Sequence, residues 1–273
     1  MSPPTELGII AGSKSLPLLF ARHAREHGVR RLVAVAFQNE TDPQIEALVD
    51  TTVWLRVGQL SKMIAAFVDQ GIRHCVMLGQ IAPRNLFEVR PDLRAMGLLL
   101  RLKEKNAHTI FGALIDDLAS EGVQVIDPTP WMGPVMAKAD FHLGPRLSAE
   151  QRADVEFGYR IAKEVSALEI GQTVVVKEGT VLAVEGFEGT DACLTRGGEL
   201  AGSKGGAVAV KVAKHKHDMR FDIPCIGVNT VNTCIAARIA VLAVEADKTL
   251  VLEQEEIEQR LKKARLAIVA SKA

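Results

Sequence analysis

Residues 211–224 carry the densest chemistry in this chain of 273 residues. Lys211, Lys214, Lys216 and Arg220 supply cations, Asp218 and Asp222 carboxylates, and His215 and His217 imidazoles. Cations suit phosphate oxygens, whereas carboxylates suit a hard divalent ion or the proton of an attacking water. Hydrolysis or transfer at a phosphate needs both. A charged surface loop could have the same composition, so the segment alone leaves both readings open. Asp222 is the better-placed carboxylate, because Pro224 stiffens the chain beside it. Asp218 reads as a metal ligand, a water-positioning base or an ion-pair partner of Arg220. A surface ion pair contributes only about 0–1 kcal/mol and would not explain the segment. His215 and His217 face one side of an extended chain, yet no third soft ligand lies nearby for zinc, and loop histidines are the simpler reading.

Two further segments could join this one. Glu185-Gly186-Phe187-Glu188-Gly189-Thr190-Asp191 sets three carboxylates and a hydroxyl on a glycine-flexed loop, with Arg196 just beyond. Oxygen donors at that density favour a hard divalent cation over a plain turn between strands. Near the start, Ile9-Ile10-Ala11-Gly12-Ser13-Lys14-Ser15-Leu16-Pro17 reads as strand, turn and helix. Backbone amides at such a helix start suit a phosphate or nucleotide, although a simple strand-to-helix turn looks the same. The turn is neither a full G-x-G-x-x-G nor a G-x-x-x-x-G-K-[ST]. Phe37-Gln38-Asn39 ends the second strand without an acidic residue, so NAD chemistry is not supported.

Apolar strands must stand behind these loops. In the first half, strands are expected at 7–12, 32–37, 53–57, 74–79 and 123–126, with helices at 17–27, 60–70, 92–102 and 109–120 between them. That alternation predicts a Rossmann-like parallel sheet with helices on both faces. Residues 127–134 and Gly144-Pro145 are rich in proline and glycine and break the pattern. The expected organisation is a nucleotide-binding-like domain at 1–132, a linker at 133–145 and a C-terminal hydrolase domain at 146–273. Ser148 and Gln151 predict a capping box opening a helix to about residue 167. Strands are expected at 171–176, 180–185 and 207–212, with a tight turn at Lys177-Glu178-Gly179. A small-residue helix at 230–244, a short strand at 250–252 and a charged helix at 254–264 complete an α/β domain with a mixed sheet.

Composition excludes several classes. Lys plus Arg equals Asp plus Glu, 33 each, so no global field favours nucleic acid or an anionic membrane. Nine Phe, two Trp and one Tyr are too few for a base-stacking platform. The four cysteines form no C-x-x-C pair, which makes a reducing cytoplasm the default. The N-terminus lacks the basic start and apolar core of a signal peptide. No apolar run approaches the roughly 20 residues that span a bilayer.

Several motifs occur in a telling order: Gly8-Ile9-Ile10-Ala11-Gly12 with Leu16-Pro17, Glu169-Ile170-Gly171-Gln172, Val184 through Asp191, and Arg220-Phe221-Asp222-Ile223-Pro224-Cys225-Ile226-Gly227. Together they resemble the metal-dependent UDP-2,3-diacylglucosamine pyrophosphatases of lipid A biosynthesis, the type unrelated to calcineurin-like phosphoesterases. The resemblance spans nearly the whole chain, and its E-G-T-D and R-x-D-[LI]-P-x-I-G pieces are the specific parts. It implies a two-domain protein with its site between the domains, and water attack on the substrate pyrophosphate. The implied products are UMP and 2,3-diacylglucosamine 1-phosphate (lipid X), and the implied cofactor is magnesium. Asp222 would be the essential carboxylate, with Glu188, Thr190 and Asp191 on the same catalytic face and Arg220 and Lys211 steadying phosphate charge. Asp222, Asp191 and Asp218 are the candidate metal ligands. Gly12, Ser13, Lys14, Leu16, Pro17, Gly79, Thr190, Lys211 and Lys214 are the candidate substrate-binding residues. A cytoplasmic homodimer working near the inner-membrane surface is also implied. The chain departs from the family pattern at Lys14 and Ser15, across Gly79-Gln80-Ile81-Ala82-Pro83-Arg84, at Asn106-Ala107-His108-Thr109, and at His215 and His217. The rival readings are a hydrolase of another nucleotide conjugate and a non-catalytic lipid- or nucleotide-binding protein.

Overall fold

The apolar runs of the first half pair side by side as one parallel sheet. The computed structural model describes residues 3–81, 91–104, 107–214 and 217–272. Strands β1 (Glu6–Ala11), β2 (Arg31–Phe37), β3 (Thr51–Leu55), β4 (His74–Leu78) and β5 (Gln124–Val125) lie in the order β3-β2-β1-β4-β5. Every neighbouring pair is parallel. Leu32, Val33, Ala34, Val35 and Ala36 are all fully buried, as a strand covered on both faces requires. Helices α1 (Leu16–Glu26), α2 (Leu60–Val68), α3 (Leu93–Arg101) and α4 (Ala107–Ser120) occupy the connections. One face packs Ile10, Val33, Val35, Met63, Phe67 and Leu118 into a single core. Phe20 of α1 meets Trp131 edge-on, with ring centroids 5.9 Å apart.

Contacts divide the chain into two units. The first is Met1–Met132 with Met219–Phe221, and the second is Gly133–Asp218 with Asp222–Ala273. Within the first, Phe221 stacks on Phe111 at 5.5 Å.

The second unit is built on a six-stranded sheet ordered β6-β13-β11-β9-β7-β8. Its strands are β6 (His142–Leu143), β7 (Thr173–Lys177), β8 (Thr180–Val184), β9 (Val208–Lys211), β11 (Val241–Glu245) and β13 (Ala267–Ser271). β9, β11 and β13 run parallel, whereas β6, β7 and β8 pair antiparallel, so the sheet is mixed. Helix α5 (Ala149–Ala167) places Val155, Tyr159 and Ala162 in one core with Val174, Val176, Val208 and Val210. Helices α6 (Thr190–Leu200), α7 (Val228–Ala236) and α8 (Gln254–Leu261) contribute to the other core, which includes Leu194, Val231, Ile257 and Leu242. The short strands β10 (Cys225–Ile226) and β12 (Leu250–Val251) form a separate parallel pair.

Local signals explain the ends of these elements. Ser148 Oγ accepts the Gln151 amide while Gln151 Oε1 accepts the Ser148 amide, a complete capping box at the start of α5. Ser148→Ala removes one of those acceptors and should cost about 1 kcal/mol, read as a lower unfolding midpoint. The β7–β8 turn has Glu178 and Gly179 both at positive φ, the geometry that matches the twist of a two-residue hairpin. The buried Asp154 of α5 accepts both of their amides at 2.8 Å, tying that turn to the helix.

Several elements differ from the sequence reading, among them helix α6 (Thr190–Leu200), which stands where a loop is expected. The helix expected over residues 230–244 is a helix followed by a strand: α7 stops at Ala236, and Val241–Glu245 is β11 in the sheet interior. Arg238 adopts φ 55°, and the Ile239 amide bonds back to the Cys234 carbonyl, a left-handed helix stop that usually carries glycine. Leu242 through Val244 are completely buried, so a continuous apolar strand had passed for the apolar face of a longer helix. Residues 267–271 form β13, which was not anticipated. His142–Leu143, inside the expected linker, is strand β6 paired with β13.

Candidate functional site

Gly12 to Pro17 and Gly79 belong to the first unit, Glu188, Thr190, Asp191, Lys211, Lys214, Asp218 and Asp222 to the second, and Arg220 to the stretch Met219–Phe221 that groups with the first. In the first unit the strand order reverses between β1 and β4, and in open α/β sheets ligands bind outside the carboxyl ends at that place. Gly12 leaves β1 there, and its amide donates to the Leu78 carbonyl at 2.7 Å. The Ser13 amide and hydroxyl both donate to the Gln80 carbonyl at 2.8 Å. Gly79 sits at φ 85°, and a Cβ on it would lie 2.5 Å from the Ser13 carbonyl oxygen. A Cβ on Gly12 would lie 2.7 Å from the Gln80 oxygen. Only glycine lets the two backbones approach this closely.

Lys14 follows in the left-handed region at φ 70° and leads into the N-terminus of α1. The first turn of α1 carries no acidic residue, so its positive end is uncompensated locally. Leu16 and Pro17 are buried and serve the packing of that turn. Thr41 reaches the same place from the loop after β2, donating to the Ala11 carbonyl and accepting the Phe37 amide. Gln80 and Ile81 are described, whereas Ala82, Pro83, Arg84 and Asn106 lie outside the described residues.

In the second unit the chemistry gathers at one edge of the mixed sheet. β9 ends at Lys211, opposite Thr173 at the start of β7. Val184, the last residue of β8, pairs with Val174 beside it. The two loops that carry most of the candidates therefore leave the sheet together. Glu185 and Lys211 are each only 6% exposed. Lys211 Nζ donates to Thr190 Oγ1 at 2.8 Å, and Thr190 Oγ1 donates to Glu185 Oε1 at 3.0 Å. Burial pushes the Lys211 ammonium below its ordinary pKa, opposed first by Glu185 and then by Cys225, Asp222 and Asp191.

The remaining residues divide by their partners. Thr190 and Asp191 are the first residues of α6, not part of an open loop. Glu188 accepts Arg196 Nη2 at 2.5 Å through one oxygen and the Gly186 amide at 3.1 Å through the other. Its own amide, then Arg196 and Gly186, hold its carboxyl below the usual range. Arg196 also donates to the Val184 carbonyl, so this pair braces the loop after β8. Asp222 lies within 3.4 Å of Lys214 Nζ and 3.8 Å of His217 Nδ1. Burial pushes the His217 imidazole down, with Asp222 the first charge opposing the shift. The Asp222 amide bonds to the Asp218 carbonyl and closes the turn containing Arg220. His215 and Lys216 lie outside the described residues.

Among the described residues, no three His, Cys, Asp or Glu side chains converge as a ready-made metal cage. Asp191 and Asp222 both act electrostatically on Lys211. Carboxylates are the donor type that suits magnesium, which commonly takes one or two of them and completes its shell with substrate phosphates and water.

Comparison with known proteins adds the family. Models described as the LpxI N-terminal domain and the LpxI C-terminal domain match residues 6–134 and 140–269. The chain belongs to the LpxI family. It is 30% identical to the UDP-2,3-diacylglucosamine pyrophosphatase LpxI of Caulobacter vibrioides, over 92% of each chain.

In this LpxI-family chain several participants carry no distinct mark in the sequence. Glu185 reads only as one carboxylate of its loop, and its burial against Thr190 is a tertiary fact. Thr173 belongs to a strand that gives no polar signal beyond its hydroxyl. Glu245, which ends β11, accepts the Ala213 amide at 2.8 Å and Lys163 Nζ at 3.1 Å. With Lys163 and Ser166 of α5 reaching the Ala213 carbonyl at 3.4 Å, it fixes the chain where residues 211–224 leave the sheet.

Proposed function

We propose that this protein hydrolyses the pyrophosphate of UDP-2,3-diacylglucosamine to UMP and 2,3-diacylglucosamine 1-phosphate (lipid X) with magnesium, in lipid A biosynthesis. The identity of 30% across 92% of both chains to a protein named for that activity carries the reading. Lys211 at the end of β9, with Asp191 and Asp222 both acting electrostatically on its ammonium, supports it.

Asp222 and Asp191 would hold the metal ion, with Asp218 on the same loop. Bound there, magnesium supplies neutralisation of the diphosphate and a lowered pKa for an attacking water. Asp222, about 40% exposed at its side chain, is accessible to orient that water and accept its proton. Lys214, which is half-exposed, can turn its ammonium to the phosphate oxygens. Arg220 would add a second cation, while Glu188 and Arg196 keep the loop before α6 in shape. In the first unit, the N-terminal end of α1 after Lys14 offers its positive pole to a phosphate or nucleotide. A homodimer working at the inner-membrane surface belongs to the same proposal. Among the described residues, no helix is long and apolar enough to cross a membrane.

The test is release of UMP from the diacylated sugar nucleotide by purified protein. Chelation by EDTA should lower the rate by at least about 10²-fold, with recovery on adding magnesium, because a metal stabilises the transition state by several kcal/mol. Full activity in EDTA would remove magnesium from the proposal. A wild-type protein that releases no UMP would overturn the activity itself.

A further inference from the structure

Thr190 has one hydroxyl proton and two acceptor positions, and the protein itself engages all three. The proton goes to Glu185 Oε1 at 3.0 Å, while Lys211 Nζ donates at 2.8 Å and the Thr173 hydroxyl at 3.4 Å. That saturation leaves no obvious role for Thr190 as a substrate ligand. Lys211 is likewise turned inward, its ammonium on Thr190 at the buried end of β9. Glu185 is anchored at both ends. Its amide donates to the Thr173 carbonyl at 2.8 Å, and its Oε2 accepts the Gln172 amide at 3.4 Å.

We infer that Glu185, acting through Thr190, is a positioning residue for Lys211, and that Lys211 serves as an interior cation and not as a phosphate ligand. The inference rests on the hydrolytic reading of this site. The chain Glu185–Thr190–Lys211 ties the first turn of α6 to the ends of β8 and β9. Asp191 is the next residue of that turn, and residues 212–222 continue from Lys211 to Asp222. The brace therefore sets where the first turn of α6, with Asp191, stands, and fixes the end of β9 from which the chain runs on toward Asp222. A buried ammonium needs a nearby carboxylate, and Glu185 is the buried acid joined to it through one hydroxyl. Nothing about Glu185 requires contact with substrate.

Steady-state kinetics on Glu185→Gln, Thr190→Val, Thr190→Ser, Lys211→Met and the Glu185→Gln/Lys211→Met double variant test this. Loss of positioning predicts a fall in kcat of about 10²-fold, with KM within about 2-fold because no substrate contact is removed. The double variant should be no slower than the slower single, since both act through one unit. Thr190→Ser, which keeps the hydroxyl, should recover most of what Thr190→Val loses. Amide exchange at Cys193 and Leu194, measured without substrate, should accelerate in Glu185→Gln and Thr190→Val. That measurement separates this inference from the assignment of the reaction, which wild-type UMP release tests alone. Should Lys211→Met not fold, the Thr190→Val and Thr190→Ser comparison still decides. A higher KM at unchanged kcat in Lys211→Met, or multiplicative losses in the double variant, would overturn the interior role. Unchanged exchange in α6 would overturn the brace.

Discussion

Asp222→Ala should lower kcat for UDP-2,3-diacylglucosamine by roughly 10²–10⁴-fold, the range lost when a positioned acid–base group is removed. KM should change little, because the variant removes a group needed in the transition state while the binding surfaces remain. Stability should also hold. The side chain is about 40% exposed, and its described partners, Lys214 at 3.4 Å and His217 at 3.8 Å, are loosely placed. Surface changes of that kind stay within about 0.5 kcal/mol. One neighbour should respond: His217 loses the first charge opposing the effect of its burial and stays neutral to lower pH. Stopped assays of UMP release, with calorimetry of product binding, separate the two parameters. A variant retaining more than a tenth of wild-type kcat would remove Asp222 from the reaction.

Gly79→Ala should destabilise the first unit by about 2–5 kcal/mol. A left-handed backbone costs an alanine about 1–2 kcal/mol, and forcing an atom into a filled space costs about 1–3 kcal/mol more. The space here is filled by backbone, with the Ser13 oxygen 2.5 Å and the Gly12 carbonyl carbon 2.9 Å from the added Cβ. Backbone cannot move aside as a flexible side chain can. Gly79→Asn should therefore fare no better, although asparagine tolerates the left-handed region. Scanning calorimetry should show the transition of this unit lowered by about 5–15 °C, with weakened binding of a nucleotide product. A transition unchanged in Gly79→Ala would mean that the Gly12–Gly79 crossing is not a constraint on this unit.

Much of the fold was legible because its signals are local. Residues 32–37 are apolar without interruption and too few for a helix, the pattern of a strand covered on both faces. Ser148 and Gln151 have the spacing of a capping box, and side chains three apart at a helix start can bond reciprocally without help from the rest of the chain. The hairpin at Glu178-Gly179 is of the same kind. The failure at residues 230–244 has a local cause too. The left-handed residue just past the end of α7 is Arg238, so the glycine that normally marks such a stop is absent. Thr230 to Ala237 and Ile239 to Val244 then read as one run of small and apolar residues.

The candidate site divides along the same line. By itself the sequence determined which segments concentrate carboxylates and cations, because E-G-T-D and R-x-D-[LI]-P are patterns of neighbours along the chain. It also placed each segment after a strand of the same half. Tertiary structure alone decided what individual side chains do there. Thr173 stands opposite Lys211 through strand register, and that pairing brings the loops after β8 and β9 together. Burial, set by residues far away in the chain, turns Lys211 from an apparent surface cation into an interior one bonded to Thr190. Glu188 looks like its neighbours Glu185 and Asp191 in composition, yet Arg196 and the Gly186 amide engage both its oxygens. Charge type is written in the sequence; the partner and the solvent exposure that give a charge its role exist only once distant strands have paired.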